Sequence, residues 1–456
     1  MSLPRLLLAP THRTGIASGV AAVLAEIAGR SQTHTRLHHL GVPAPCHIWD
    51  RWEGSSFLDP GLYGMQAAVD LYSLTVAGAD VSLLCTAYGL FDPGPAGVWT
   101  PEQLAIRLDA PVVLLLDCRG WGPTVGAVVE GLRIRARDIN LAGLLLTGLR
   151  DRLHAEEMVR VLRRPDLPVV GCFFQGDPLT WDGTRAGLSD GPPAGSLMSL
   201  VRERINMGIL ENIAGQRGFL PPHPTSRPRE REGPLVLVAA GRGFTPWSRD
   251  CIELLRSAGA RVRRLDLMTD TGCPEHTAGI IIAGYLWQEE IGELAANRVL
   301  MQDLRQRLEE KVPFVAMGGG LTYLLSRVRD AFGRAHEMAG ILPGEAEILD
   351  EVDEPAYFQV RAERDNVLLE QGEEVTGWVV QDTELLEEPV TLGYALSLSQ
   401  DGWTRRLYEG ASTPRLLCSR LLIHFASCRS AAARFVAACR EFEAGQSDGV
   451  RNLRRS

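Results

Sequence analysis

RLLLAPTHRTGIASG, Arg5–Gly19, runs from an apolar strand pattern through a polar turn into a helical pattern. In a strand–turn–helix unit the free N–H groups of the helix start attract anions, so this turn is a candidate phosphate or carboxylate site. A phosphate loop of the form G-x-x-x-x-G-K-[ST] also needs an ammonium beside the phosphates. Ile16 occupies the position where that Lys would be wanted, and the only lysine of the 456 residues is Lys311, far along the sequence. The groups left to hold an anion are Arg13, Ser18 and the backbone around Gly15; a plain turn of small residues fits the same stretch.

Outward from this unit the same rhythm repeats. Strand patterns fall at Arg5–Ala9, Val81–Cys85, Val112–Asp117, Leu141–Leu146 and Pro168–Gly171, with helical patterns at Ile16–Ala28, Gly64–Ala77 and Leu153–Leu162. Buried apolar strands alternating with helices predict a doubly wound, parallel sheet. PPHPTSRPREREG, Pro221–Gly233, has four Pro, three Arg and no aliphatic residue, which is the composition of a linker. Beyond it strands are expected at Leu235–Ala239, Arg261–Leu265, Gly279–Ala283, Val312–Ala316 and Arg420–Phe425, and helices at Ser248–Ala258, Leu321–Phe332 and Ser430–Glu443. The expectation is an α/β protein of two domains, residues 1–220 and 234–445. Each is a mainly parallel sheet flanked by helices, with a linker at 221–233 and a disordered tail at 446–456.

Apolar residues at 45% and charged residues at 23% are ordinary for a globular chain. A net charge of −9 argues against a nucleic-acid binder. With one Lys, 46 of the 47 basic residues are Arg, a skew that fits a GC-rich genome and also suits bidentate binding of carboxylates. No apolar run approaches the ~20 residues that span a bilayer, so no membrane partner and a cytoplasmic location are expected. The nine Cys are scattered without a C-x-x-C pair, which predicts structural thiols and no metal site.

The strand Val112–Leu116 ends in Asp117, at the sheet edge where ligands of such folds bind. Together with the first turn, GLFD (Gly89–Asp92), PVVLLLD (Pro111–Asp117) and AGLLL (Ala142–Leu146) resemble the cobyrinic acid a,c-diamide synthase family of cobalamin and modified-tetrapyrrole biosynthesis. The resemblance covers almost the whole chain. It implies a P-loop NTPase-like, dethiobiotin-synthetase-like domain that activates carboxylates with ATP and Mg2+, then a glutamine-amidotransferase-like domain that supplies ammonia. Several motif positions differ. The Lys-Thr of the phosphate loop corresponds to Gly15-Ile16-Ala17, the Glu-Gly before GLFD to Cys85-Thr86, an Asn to Thr147, and a His-Leu-Gly-Leu element to Arg185-Ala186-Gly187-Leu188. The candidates for cofactor binding are Arg13, Gly15 and Ser18 of the turn, which do not match the family's loop, and Asp92 and Asp117, which match its motifs.

In the second half FVAMGGGLTYL, Phe314–Leu324, resembles the family's nucleophile elbow, with Gly318 where the catalytic Cys is needed. A thiolate nucleophile and a His base are the working parts of such a site. Gly accepts the strained elbow backbone readily, so the shape can outlive the nucleophile. Ala283–Glu289 and Asn297 resemble the oxyanion and glutamine-pocket loop, with Leu286 in place of Pro. His424 matches the second His of a His-Leu-His-Phe strand, the base position, and Leu422 stands at the first. The family's Gly-His-Glu-Phe-His element is expected around Val379–Leu385 and has no match there.

Three readings follow. The first is a catalytically degenerate homologue that binds a tetrapyrrole, whose carboxylates Arg side chains would suit, or an active paralogue. The second is an active ligase that takes ammonia and holds ATP through Arg13 and backbone N–H groups. The third is a structural subunit of a synthase heterodimer, which pairs with an active homologue and carries no ligand; the partner expectation is a homodimer or a heterodimer with an active paralogue.

Overall fold

The computed structural model describes residues 3–42, 55–94, 97–178, 195–216, 233–349, 355–379, 383–387, 394–400 and 407–453. The chain divides into two compact units, Met1–Pro224 and Thr225–Ser456. The linker stretch 221–232 and the Arg185–Leu188 element lie outside the described residues.

In the first unit the strands are β1 Arg5–Pro10, β2 Thr35–Leu40, β3 Ser55–Leu58, β4 Val81–Thr86, β5 Val112–Asp117, β6 Leu141–Leu149 and β7 Val169–Phe174. They form one seven-stranded sheet in the order β3-β2-β4-β1-β5-β6-β7, parallel at every pairing. Runs such as Leu6–Ala9 and Val112–Leu116 are buried throughout, because helices cover both faces. The first helix, Ile16–Arg30, is buried from Ala17 to Ala25 and packs on Leu6, Leu8 and Leu83 together with Leu197, Met198 and Val201 of helix Gly195–Arg204. A helix that is apolar all round over most of its length belongs in a core. The expected helix Gly64–Ala77 is preceded by a short one, Pro60–Tyr63, and the two meet at Gly64, whose φ of +83° breaks the run.

The second unit has strands β8 Leu235–Ala239, β9 Phe244–Pro246, β10 Arg261–Leu265, β11 Thr277–Leu286, β12 Phe314–Gly318, β13 Arg327–Arg329, β14 Ala335–Glu337, β15 Glu345–Ile348, β16 Ala356–Ala362, β17 Glu374–Val379, β18 Thr383–Glu387, β19 Tyr394–Ser399, β20 Leu407–Thr413, β21 Leu416–Ser419 and β22 Leu422–Ile423. Its main sheet runs β10-β8-β11-β12-β21 in parallel, then continues β20-β19-β16-β17-β22 in antiparallel pairings. A small sheet, β14-β13-β15-β18, stands beside it.

Three expectations change here. The helix predicted at Leu321–Phe332 ends at Leu324, since Asp330 accepts the Phe332 and Arg334 N–H groups and folds β13 and β14 into a hairpin. The strand predicted at Arg420–Phe425 shrinks to β22 and is followed by a 3-10 turn, Phe425–Ser427, capped by His424. The last helix, Ala431–Leu453, runs on through most of the stretch expected to be a disordered tail; no Pro interrupts its backbone ladder. Lys311, with φ +62°, closes helix Arg298–Glu309 by donating its N–H to Leu308 O at 3.0 Å. Among the described residues no helix is long and apolar enough to cross a membrane.

Candidate functional site

The first turn is fixed by its neighbours. Thr11 N–H donates to Leu115 O (3.0 Å), Thr14 N–H to Ala87 O (2.9 Å), and Leu90 N–H to Pro10 O (2.9 Å). Gly15 opens the first helix without a side-chain cap, and the Ile16 N–H reaches the Thr14 hydroxyl at 3.4 Å. Ile16 is half-buried and Ala17 buried, so neither offers a polar group at this edge. The Arg13 guanidinium lies over the Tyr88 ring, 4.9 Å from its centroid. Ser18 is turned inward and bonds to the Cys85 thiol; burial pushes that thiol up to about 12.

The structure brings Asp117 together with two groups that the sequence did not single out. Arg119 donates to its carboxylate from the backbone N–H (2.9 Å), Nε (2.8 Å) and Nη2 (2.6 Å), and His12 Nε2 lies 3.7 Å away. Burial raises the carboxyl, but the Arg119 hydrogen bonds and the Arg119 and His12 charges outweigh it and leave Asp117 below the usual carboxylate range. Asp92 is exposed and lies against Gly89, where an added Cβ would fall within 2.2 Å of Oδ2 and 3.1 Å of Thr11 O. This donor set does not fit a nucleotide phosphate with Mg2+. The ammonium position is Ile16, the neighbouring hydroxyl position is Ala17, and Asp117 is closed by its own Arg.

In the second unit the expected strand-to-helix turn is present, and the space beside Gly318 is occupied by neighbouring atoms. Gly318 joins β12 to helix Gly319–Leu324 at φ +59°, ψ −126°, a conformation that L side chains rarely adopt. A Cβ built there would stand 2.7 Å from Gly284 O, 3.0 Å from Leu422 Cδ2 and 3.3 Å from Leu422 Cγ. At Gly320 a Cβ would fall 1.6 Å from Ile282 O, so the helix can press on β11 only without a side chain. The strand end Gly284–Leu286 is paired with β9, and the Tyr285 hydroxyl accepts from Trp378 Nε1 at 3.1 Å. Asn297 caps helix Arg298–Glu309. Its Oδ1 accepts from Leu300 N–H at 3.3 Å, and its Nδ2 donates to Leu267 O (3.0 Å) and Asp270 O (2.8 Å).

His424 is buried, and its hydrogen bonds define its tautomer. Nδ1 accepts from Ala426 N–H at 3.1 Å, so Nε2 carries the proton and donates to Ser248 Oγ, also at 3.1 Å. Ser248 passes the chain on to Asp250 Oδ2 (3.3 Å) and accepts from Asp250 N–H (3.2 Å). Burial lowers the His424 imidazolium to about 3. A ring held neutral with its N–H toward a serine is a hydrogen-bond donor, not a base. Trp247 reinforces the same corner, donating Nε1–H to Ile423 O at 3.0 Å. Ser248 and Asp250 had not stood out in the sequence, and Leu422 had done so only as the residue in place of the strand's first His. The Ser-x-Asp spacing at a helix start was a visible capping signal, whereas nothing local marks Leu422 as the side chain that fills the elbow.

No protein-family model matches the chain. It is 28% identical over 484 residues to the hydrogenobyrinate a,c-diamide synthase of Thermobifida fusca, an alignment covering 96% of this chain and 97% of that protein. It is 25% identical over 472 residues to the cobyrinate a,c-diamide synthase of Dehalococcoides mccartyi, covering 97% and 100%. The corresponding synthase of Syntrophotalea carbinolica is 26% identical over 467 residues, covering 96% and 99%. Both units are thus matched from end to end by cobyrinate and hydrogenobyrinate a,c-diamide synthases, and the chain is similar to these proteins along nearly its whole length.

Proposed function

We propose that this chain is a catalytically degenerate member of the cobyrinic acid a,c-diamide synthase family, a protein that binds a carboxylate-rich tetrapyrrole without amidating it. The observation that carries the reading is the filled nucleophile place: Gly284 O and the Leu422 side chain stand where a cysteine at position 318 would need room. Two further features support it. His424 offers a donor where a base is needed, and the first turn puts Ile16 and Ala17 where a phosphate loop needs an ammonium and a hydroxyl. Covalent glutamine hydrolysis needs a thiolate with a base in reach, and carboxylate activation needs the phosphates held by cations.

The test uses the purified full-length chain. Glutamate release from glutamine and ADP release from ATP are expected at buffer background, with or without ammonia. Absorbance titration with a cobyrinic acid derivative is expected to give a saturable shift. Glutamate or ADP formation above background would refute the degenerate reading, and a spectrum that stays unchanged at saturating protein would refute tetrapyrrole binding.

A further inference from the structure

The first unit contains a cluster of buried polar side chains that the proposed function does not use. In register across three neighbouring strands, Ser82 of β4 lies between Arg5 of β1 and Arg36 of β2, and His38 follows two residues after Arg36 on the same face. Helix Met65–Thr75 covers this face. His38 lies under Tyr72, ring centroids 4.9 Å apart, and His38, Tyr72 and Ser82 are each fully buried. The tautomer of His38 follows from Thr75. That hydroxyl donates to the carbonyls of Leu71 and Tyr72, both at 3.0 Å, so at 2.8 Å it accepts from His38 Nε2–H. Nδ1 is therefore a bare acceptor facing the interior. Among the described residues His38 Nδ1, Tyr72 Oη and Ser82 Oγ have no hydrogen-bond partner. Ser82 is close enough to Tyr72 to oppose the rise that burial imposes on its phenol, which stands at about 12, yet the pair does not complete a hydrogen bond.

A desolvated polar atom left unpaired costs roughly 1–3 kcal/mol, and three in one place are rarely tolerated. The two nearby guanidiniums are already engaged. Arg5 binds Leu108 O at 2.6 Å and Asp109 O at 3.1 Å, and Arg36 binds Thr75 O at 3.0 Å. What the three atoms need is a small group that donates to Nδ1 and completes both hydroxyls. We propose that β2, β4 and helix Met65–Thr75 enclose one internal water molecule bridging His38 Nδ1, Tyr72 Oη and Ser82 Oγ. Buried waters typically make about three hydrogen bonds to otherwise unpaired groups.

The experiment is a crystal structure of the full chain at a resolution that shows ordered solvent, paired with oxygen-17 magnetic relaxation dispersion in solution. Density within hydrogen-bond distance of Nδ1 and at least one hydroxyl is expected. The dispersion should count one fewer long-lived water in Ser82→Val, whose extra methyl takes up the space. If Ser82→Val does not fold, Tyr72→Phe provides the same count. Tyr72 Oη or any other side chain bonded directly to Nδ1, an empty space between the three groups, or an unchanged count in the variant would each overturn the proposal.

Discussion

Placing a thiol on the turn with Gly318→Cys tests the proposed loss of function most directly. The backbone at φ +59° resists any side chain, at a cost of about 1–3 kcal/mol. The new Cβ would also stand 2.7 Å from Gly284 O, a backbone atom fixed by the pairing of β11 with β9 and β12. Pushing Leu422 and this strand aside is overpacking, worth about 1–3 kcal/mol more. The reduced freedom of the unfolded chain returns a few tenths to 1 kcal/mol. A net loss of about 2–5 kcal/mol lowers the melting temperature of a unit of this size by on the order of 10 °C. The thiol should also stay protonated and unreactive, because the His424 proton points at Ser248. Scanning calorimetry, native thiol titration and a glutamate-release assay read these three consequences. Gly318→Cys with Leu422→Ala should recover part of the melting temperature and none of the glutaminase. A Gly318→Cys protein that melts at the wild-type temperature, or glutamate release above background by either variant, would refute the closed packing around Gly318.

Further outcomes follow from other parts of the structure. His38, His39 and His424 are buried neutral, with burial the main cause of values near 3, 4 and 3. Each folded value lies below the unfolded 6.5, so the stability they contribute is complete above pH 6.5 and falls as pH drops towards 4. At pH 5.0 that is about 2 kcal/mol per histidine. Chemical denaturation at pH 7.0 and 5.0 should show the first unit, which holds two of them, losing about twice as much as the second; equal or no loss would contradict the burial. Ser248→Ala strips the partner from the His424 N–H inside the core and should cost about 1–3 kcal/mol in a urea titration. Gly320→Ala places a methyl 1.6 Å from Ile282 O and should prevent the second unit from folding, read by near-ultraviolet circular dichroism. Arg119→Ala removes the donors that hold Asp117 down, and its carboxyl, followed by carbon-13 NMR, should titrate at higher pH.

The parallel strands were legible because they are fully buried. Val112–Leu116 and Ile280–Ala283 read as unbroken apolar runs, and such runs have few other places in a globular chain. The antiparallel half of the second sheet was not. Strand β16, AYFQVRA, mixes buried Tyr357, Val360 and Ala362 with exposed Gln359 and Arg361, and short alternating segments of this kind look like loop. The helix pattern after Leu324 misled for a different reason. Leu325 and Val328 are both buried, but they bury in a hairpin whose turn is set by Asp330, a side-chain bond that periodicity does not carry.

The same division between local and distant information explains what could be read of the site. The shape of the elbow follows from the adjacent glycines of Phe314–Leu324, so a sequence reader sees both the turn and the missing thiol. Whether the place is open or closed depends on Leu422, which arrives through β22, a two-residue strand paired with β17 rather than with the elbow strand. The absence of a nucleophile alone would leave a repairable site. With Leu422 and Gly284 O at 3.0 and 2.7 Å from the position of its Cβ, and the nearest family-matched histidine turned to Ser248, several changes separate this chain from a working thiolate.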